Sequence, residues 1–394
     1  MALPANASPI NTSDTISDTI KTTAGYFTDG DGTLSGENIH TQSIGASNDK
    51  YYYNVTQITG SQEDVQFSVT FGHFAGTGSD TIGDSNNNKN TLRGETQAIY
   101  KQLASLLLEE TEVSGGFKIA SNGSSDHLGS AITTGMRDDS VYAIIGKRSK
   151  FKDRMNKKAW TLVLSGSRDL SDDSLYGQGV KLHLTDDSKD VAAVATPGGP
   201  RYNIVSGALG VAETPASSKT YGFFYPEMGI MLFSGYMMSS SLPGSGSWLT
   251  STAADTVFQA NPGDEDYSGE PSGSGLAVND ISNKNDNNAL KFVNCMRRMS
   301  SATTFRLRSE EDQTQENYFC RIKATEYNFS ANPTFVSGSK NKLRNTDMFG
   351  NPQTFITGVG LYNSAGQLLA IAKLSSPLKK NFASEATIKV KLTY

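Results

Sequence analysis

Cysteine is almost absent, two in 394 residues, which is too few for a disulfide framework and fits a reducing compartment. Long apolar runs are missing too. The longest, such as Gly229–Phe233 and Leu103–Leu108, fall far short of the ~20 residues that span a bilayer, so no membrane anchor is expected. The opening residues Met1–Ile10 lack the basic start and apolar core of a signal peptide, and the chain is expected to stay where it is translated. Charge is sparse at 19%, with 35 basic against 40 acidic residues and a net of -5. No Lys/Arg cluster is long enough to track a phosphate backbone, so nucleic acid is not an expected partner. Only four histidines occur, His40, His73, His127 and His183. None has a second His or Cys at ligand spacing, so neither a metal nor a cofactor is expected.

Ser, Thr, Asn and 38 glycines fill the space that charge leaves, a composition that favours turns and strands over long helices. The expected fold is therefore α+β and β-rich, with short antiparallel strands, two main helices, an extended N-terminal arm and long Gly/Ser/Asn loops. Residues 1–50 are polar with isolated apolar positions and read as the arm, ordered by another surface. Residues 51–238 read as a β-rich domain with one helix. Val65, Phe67, Val69 and Phe71 alternate with polar residues as in a half-buried strand. Short strands follow at Val141–Ile145, Trp160–Leu164, Val180–Leu184, Tyr202–Val205 and Tyr221–Tyr225, each bounded by turn residues. Ile99, Leu103, Leu106 and Leu107 recur at helical spacing between Leu92 and Glu112. Residues 239–288 read as a long loop or insertion. Residues 289–394 read as a C-terminal α+β domain, opening on a helix with Leu290, Phe292, Val293 and Met296 as its apolar face and ending in strands.

Chemistry-bearing patterns are few. Asp29-Gly-Asp-Gly-Thr-Leu34 carries the letters of a dehalogenase-type phosphatase motif, yet such a nucleophile needs a buried parallel strand before it and the upstream residues do not supply one. A solvated Asp-Gly turn is expected instead. Calcium is excluded, since Leu34 and His40 stand where an EF-hand loop needs Gly and Glu. Gly146-Lys147 lacks the upstream glycine of a phosphate loop, because Val141 occupies that position. The pairs Asp138-Asp139, Asp172-Asp173, Asp186-Asp187 and Glu310-Glu311 lie beside turn residues and read as solvated loop charges. Cys295 and Cys320 read as reduced, buried thiols. No catalytic residue is assigned, and the rival reading is an enzyme, either a phosphatase on Asp29 and Asp31 or a carbohydrate-active β-protein with dispersed carboxylates.

The most informative segment is a hairpin. Two apolar runs, Ile356–Tyr362 and Leu368–Leu374, flank Asn363-Ser-Ala-Gly366, whose glycine suits a left-handed turn position. Thr357-Gly-Val-Gly-Leu-Tyr-Asn363, Gly366-Gln-Leu-Leu-Ala-Ile-Ala-Lys-Leu374 and Pro377-Leu-Lys-Lys380 resemble segments of structural proteins from contractile-tailed, myovirus-type bacteriophages. Ser68–Gly78, Ala98–Leu103 and Tyr221–Gly229 are similar in style to virion proteins of that class. The resemblance implies a non-enzymatic virion protein of the tail, a baseplate wedge component first and a neck, collar or tail-fibre adaptor second. It would be made in the host cytoplasm and act among other tail or baseplate proteins in a symmetric assembly. The expected assembly surface is Phe355, Ile356, Val359, Leu361, Tyr362, Leu368, Leu369 and Ile371, with Ile356, Val359, Leu361, Leu368, Ala370 and Ala372 able to cover one interior.

Overall fold

The computed structural model describes residues 7–28, 30–44, 52–59, 62–76, 94–119, 124–125, 131–132, 135–165, 181–213, 219–241, 289, 292–293, 295–296, 303–338, 340 and 342–394. Backbone contacts group them into two units, one of residues 23–311 and one of residues 1–22 with 312–394. Every strand pairing described is antiparallel, in keeping with the β-rich α+β expectation.

The larger unit is organised by one sheet. Its strands run, in spatial order, Thr33–Ser35, Thr303–Arg306, Thr161–Ser165, Lys181–Asp186, Gly199–Ala208, Thr220–Tyr225, Ile230–Ser234, Ser140–Gly146, Gln62–His73, Tyr52–Thr59 and His40–Ile44. The central strands are apolar in nearly every position because both faces are covered. On one face the helix Glu95–Leu107 sets Tyr100, Leu103, Ala104 and Leu107 against Val141, Ala143, Phe223 and Leu232. Leu106, expected on that inner face, is exposed instead. On the other face lie Phe67, Val69, Phe71, Tyr142, Ile144 and Phe233. The described residues of the second expected helix, Ala289, Phe292, Val293, Cys295 and Met296, are helical and fully buried in that layer, Phe292 stacking on Tyr142 with ring centroids 5.5 Å apart. Leu290 lies outside the described residues, as do 242–288 of the expected long loop.

The smaller unit holds a sheet of long strands and a separate hairpin. Strand β1 (Thr15–Gly25) pairs with β2 (Arg308–Ile322), and β2 pairs with the C-terminal strand Ala386–Thr393 in the register Gln315↔Thr393 to Ile322↔Ala386. Strand β1 ends, and β2 begins, within the larger unit's residue range. Strands β3 (Thr354–Tyr362) and β4 (Leu368–Lys380) form a separate two-stranded hairpin.

The extended arm expected at residues 1–50 is not one element. Residues 15–25 are an eleven-residue strand within a sheet, and Thr33–Ser35 and His40–Ile44 sit at opposite edges of the large sheet. Strand β1 is mostly polar and most of its side chains are exposed, so ladder hydrogen bonds rather than an apolar face hold it.

The seat of the helix Glu95–Leu107 depends on Gly72. A Cβ there would lie 3.0 Å from the Tyr100 Cα and N atoms, closer than van der Waals contact. Gly72→Ala is expected to lift the helix from the sheet and cost about 1–3 kcal/mol, the usual scale of overpacking. The shift in urea midpoint measures this, and an unchanged midpoint refutes the packing assignment.

Candidate functional site

The hairpin is built by its turn. Gly366 has φ +77° and donates its N–H to the Asn363 carbonyl at 3.0 Å, while the Asn363 side-chain oxygen accepts from the Gln367 N–H at 2.8 Å. The left-handed glycine is the one its sequence called for.

Two irregularities then decide which side chains face water. Leu361 pairs with Ala370 but Tyr362 pairs with Leu368, so Leu369 is an extra residue in β4. Such a bulge re-aims the side chains beside it. Leu368 is therefore 50% exposed, not part of the covered face, and Leu369 is 68% exposed. The second break lies between Ile356 and Gly358, opposite Leu374–Pro377, and Pro377, which has no N–H for a ladder, falls inside it. Of the eight expected surface residues, Phe355, Tyr362, Leu368, Leu369 and Ile371 are exposed, Ile356 and Val359 are half-buried, and Leu361 is buried. A two-stranded hairpin with one wet apolar face is marginal by itself in water. Among the described residues neither β3 nor β4 pairs with a third strand, so both present open edges.

At the hairpin's open end sits a feature that sequence reading missed. Lys380 closes β4 opposite Thr354 and is completely buried. Its ammonium donates to the Ala324 carbonyl at 2.9 Å, the Asn328 Oδ1 at 2.9 Å and the Asn381 carbonyl at 2.8 Å. Three donors thus meet three neutral oxygens, the satisfaction that a buried charge demands. The Asn328 amide donates in turn to the Ala324 carbonyl at 2.6 Å, and the Thr354 hydroxyl donates to the Tyr327 carbonyl at 2.6 Å. Together these bonds fix the loop 323–328 against the base of the hairpin. Between Asn328 and the Glu326 turn, Tyr327 is held at φ +55°, a left-handed conformation that a non-glycine residue adopts only when its surroundings impose it.

The fixed loops line an open cleft of about 640 Å³. Phe335 lies deep in it, while Tyr327, Phe329 and Phe382 stand 37%, 58% and 57% exposed around it. Ser8, Thr325 and Glu326 supply polar groups. Because the contributing positions run from Ala7 to Phe382, no local spacing could have assembled them.

The C-terminal stretch also carries a charge bias. From Arg321 to Tyr394 there are ten Lys/Arg and three Asp/Glu, so this stretch is strongly basic within a chain of net charge -5. The hairpin thus offers an apolar face in a positive field.

Other expected sites are structural. The pairs read as solvated charges are in part buried, because backbone amides draw their carboxylates inward. Asp138 accepts from the Ile119 N–H at 2.6 Å and from the Ser234 hydroxyl. Asp186 receives the Lys158 N–H on both oxygens, at 3.0 and 3.1 Å, with its pKa raised by burial. Glu310 is buried against Arg154 at 2.7 Å. Asp172 and Asp173 lie outside the described residues, as does Asp29. The remainder of the Asp29–Leu34 segment is a tight turn with Gly30 and Gly32 at positive φ, leading into Thr33–Ser35 at an edge of the antiparallel sheet. Among the described residues no three His, Cys, Asp or Glu side chains gather as a metal site would require, and no helix is long and apolar enough to cross a membrane. No protein-family model matches the chain, and no curated protein or solved structure matches it.

Two outcomes test these placements. Lys380→Met strands three oxygens and is expected to destabilise the unit by about 2–4 kcal/mol, given ~1–3 kcal/mol for each buried unsatisfied group and the relief of a buried charge. Hydrogen exchange at residues 324–328 and 381 checks it, and unchanged protection there contradicts the anchoring role. On the larger unit, Asp64 meets Lys150 at 2.5 Å and Lys147 at 3.1 Å, and the Lys150 hydrogen bond leads in lowering its pKa to about 2. A depressed carboxyl stabilises fully above its ordinary pKa near 4 and loses that contribution as pH falls through 2. Asp64→Asn should flatten the acid limb of the stability profile between those values, by a small amount because the pair is partly exposed.

Proposed function

We propose that the chain is a non-enzymatic structural protein of a contractile phage tail, a baseplate wedge component that works through protein–protein assembly. One observation carries the assembly half of the reading. Phe355, Tyr362, Leu368, Leu369 and Ile371 project from a hairpin whose two edges are open, where an isolated chain gains nothing from leaving them in water. A partner that adds a strand to either edge and covers that face removes both liabilities. The basic character of residues 321–394 favours an acidic partner surface and assembly that weakens with salt. The phage-tail half rests on the resemblance of residues 357–380 to tail proteins of myovirus type.

The double variant Leu369→Glu, Ile371→Glu replaces two wet side chains and is expected to melt as the native chain does. It should nevertheless fail to enter particles. Complementation of a phage deleted for the gene reads this directly: normal tails carrying the variant at native stoichiometry would refute the docking surface. Normal tails in the deletion itself would refute the tail assignment.

A further inference from the structure

The cleft beneath the hairpin is a separate matter from the apolar face, and its lining defines a ligand class. We infer that it is a binding site for a neutral oligosaccharide, seated on the exposed rings of Tyr327, Phe329 and Phe382.

Charge narrows the choice first. Among the described residues lining the cleft there is no Lys or Arg, and Lys380, which holds the lining residue Asn328, has all three donors engaged by Ala324, Asn328 and Asn381 and so offers nothing to an anion. Glu326 is the acidic group in the lining, with one oxygen accepting from the Lys323 N–H at 3.0 Å. An anionic ligand would meet that carboxylate unpaired, a costly arrangement. A free cation is disfavoured by the surrounding stretch, with its ten Lys/Arg against three Asp/Glu.

Size narrows it further. A volume of about 640 Å³ lies in the range of small-molecule sites and greatly exceeds what an alkylammonium head would fill. Three exposed aromatic residues, Tyr327, Phe329 and Phe382, interspersed with hydroxyls, match a ligand that is apolar on its ring faces and polar at its rim. Pyranose rings have that character. The Thr325 hydroxyl, the second Glu326 oxygen, and the Ser8 and Tyr327 hydroxyls, which lie 3.1 Å apart, are positioned to exchange hydrogen bonds with sugar hydroxyls.

Rigidity is the remaining requirement. Weak polar ligands are held by sites that are already formed, because ordering a loop would consume the binding energy. The cleft meets this through the buried ammonium and the Thr354 bond to the Tyr327 carbonyl. The left-handed backbone at Tyr327 is the local strain that such a preformed site retains.

The test uses the full chain and a fixed probe set: chitotriose, maltotriose, cellotriose and mannotriose, with sialyllactose, choline and a proline-rich decapeptide as contrasts. Saturation-transfer NMR at about 10 mM ligand registers dissociation constants near 1 mM. At least one neutral trisaccharide is expected to bind. Phe329→Ala and Phe382→Ala, both at exposed positions, should keep the native melting temperature and each weaken that sugar about tenfold, as loss of an aromatic anchor does. Ile371→Ser on the hairpin should leave the affinity unchanged. The inference fails if no neutral trisaccharide binds, if binding survives both phenylalanine variants, or if sialyllactose, choline or the peptide binds in its place.

Discussion

Burial on both faces of the large sheet is the constraint from which the rest of the larger unit follows. Ile230–Ser234 and most of Ser140–Gly146 have no solvent face, so every polar group carried into those layers needs an internal partner. Asp138 shows how the demand is met. Its carboxylate caps the Ile119 amide and takes the Ser234 hydroxyl, while its own carbonyl accepts from the Tyr100 hydroxyl at 2.7 Å, which in turn accepts from the Phe117 N–H at 2.9 Å. One residue thereby ties the covering helix, the segment after it and the strand Ile230–Ser234 into a single network. Both oxygens of the Asp138 carboxylate thus already serve a structural bond.

The smaller unit solves the opposite problem. It has long strands but, at the hairpin, no second layer for five large apolar side chains. Its fully buried Lys380 stabilises the base of that hairpin rather than its face. Replacing an ion by a well-packed apolar residue is often neutral or stabilising in other proteins. Keeping a lysine at position 380 therefore makes sense as a means of fixing particular loops, because three directional hydrogen bonds specify positions that a methionine would leave free. This accounts for a cleft and an exposed face sharing one rigid base.

Much of the sheet was legible because alternation survives when one face meets a core. Val65–Phe71, Tyr202–Val205 and Tyr221–Tyr225 all fall inside observed strands, and the two expected helices announced themselves by spacing, whereas the short helix Gly235–Ser241 did not. Strand β1 was illegible for a physical reason: its side chains face water, so nothing in the order of Thr15–Gly25 distinguishes a hydrogen-bonded strand from an unpaired one. In the hairpin, the turn was readable from Asn363 and Gly366, but the bulge at Leu369 was not. A one-residue slip in register leaves no mark on composition, yet here it leaves both Leu368 and Leu369 exposed.

The cleft shows where reading a chain in order stops working. Lys379 and Lys380 are identical neighbours in sequence, yet one is exposed and the other has no contact with water. In a strand, adjacent side chains point to opposite faces, so the pair Lys-Lys at the end of β4 forces one ammonium inward wherever that strand is covered. The fold must then place oxygens around it, and the carbonyl of Ala324, the amide of Asn328 and the carbonyl of Asn381 are those oxygens. Their placement sets Tyr327 and Phe382 beside the same cavity. The aromatic lining is thus linked to the strand period at Lys380, a connection that neither residue's neighbours in sequence disclose.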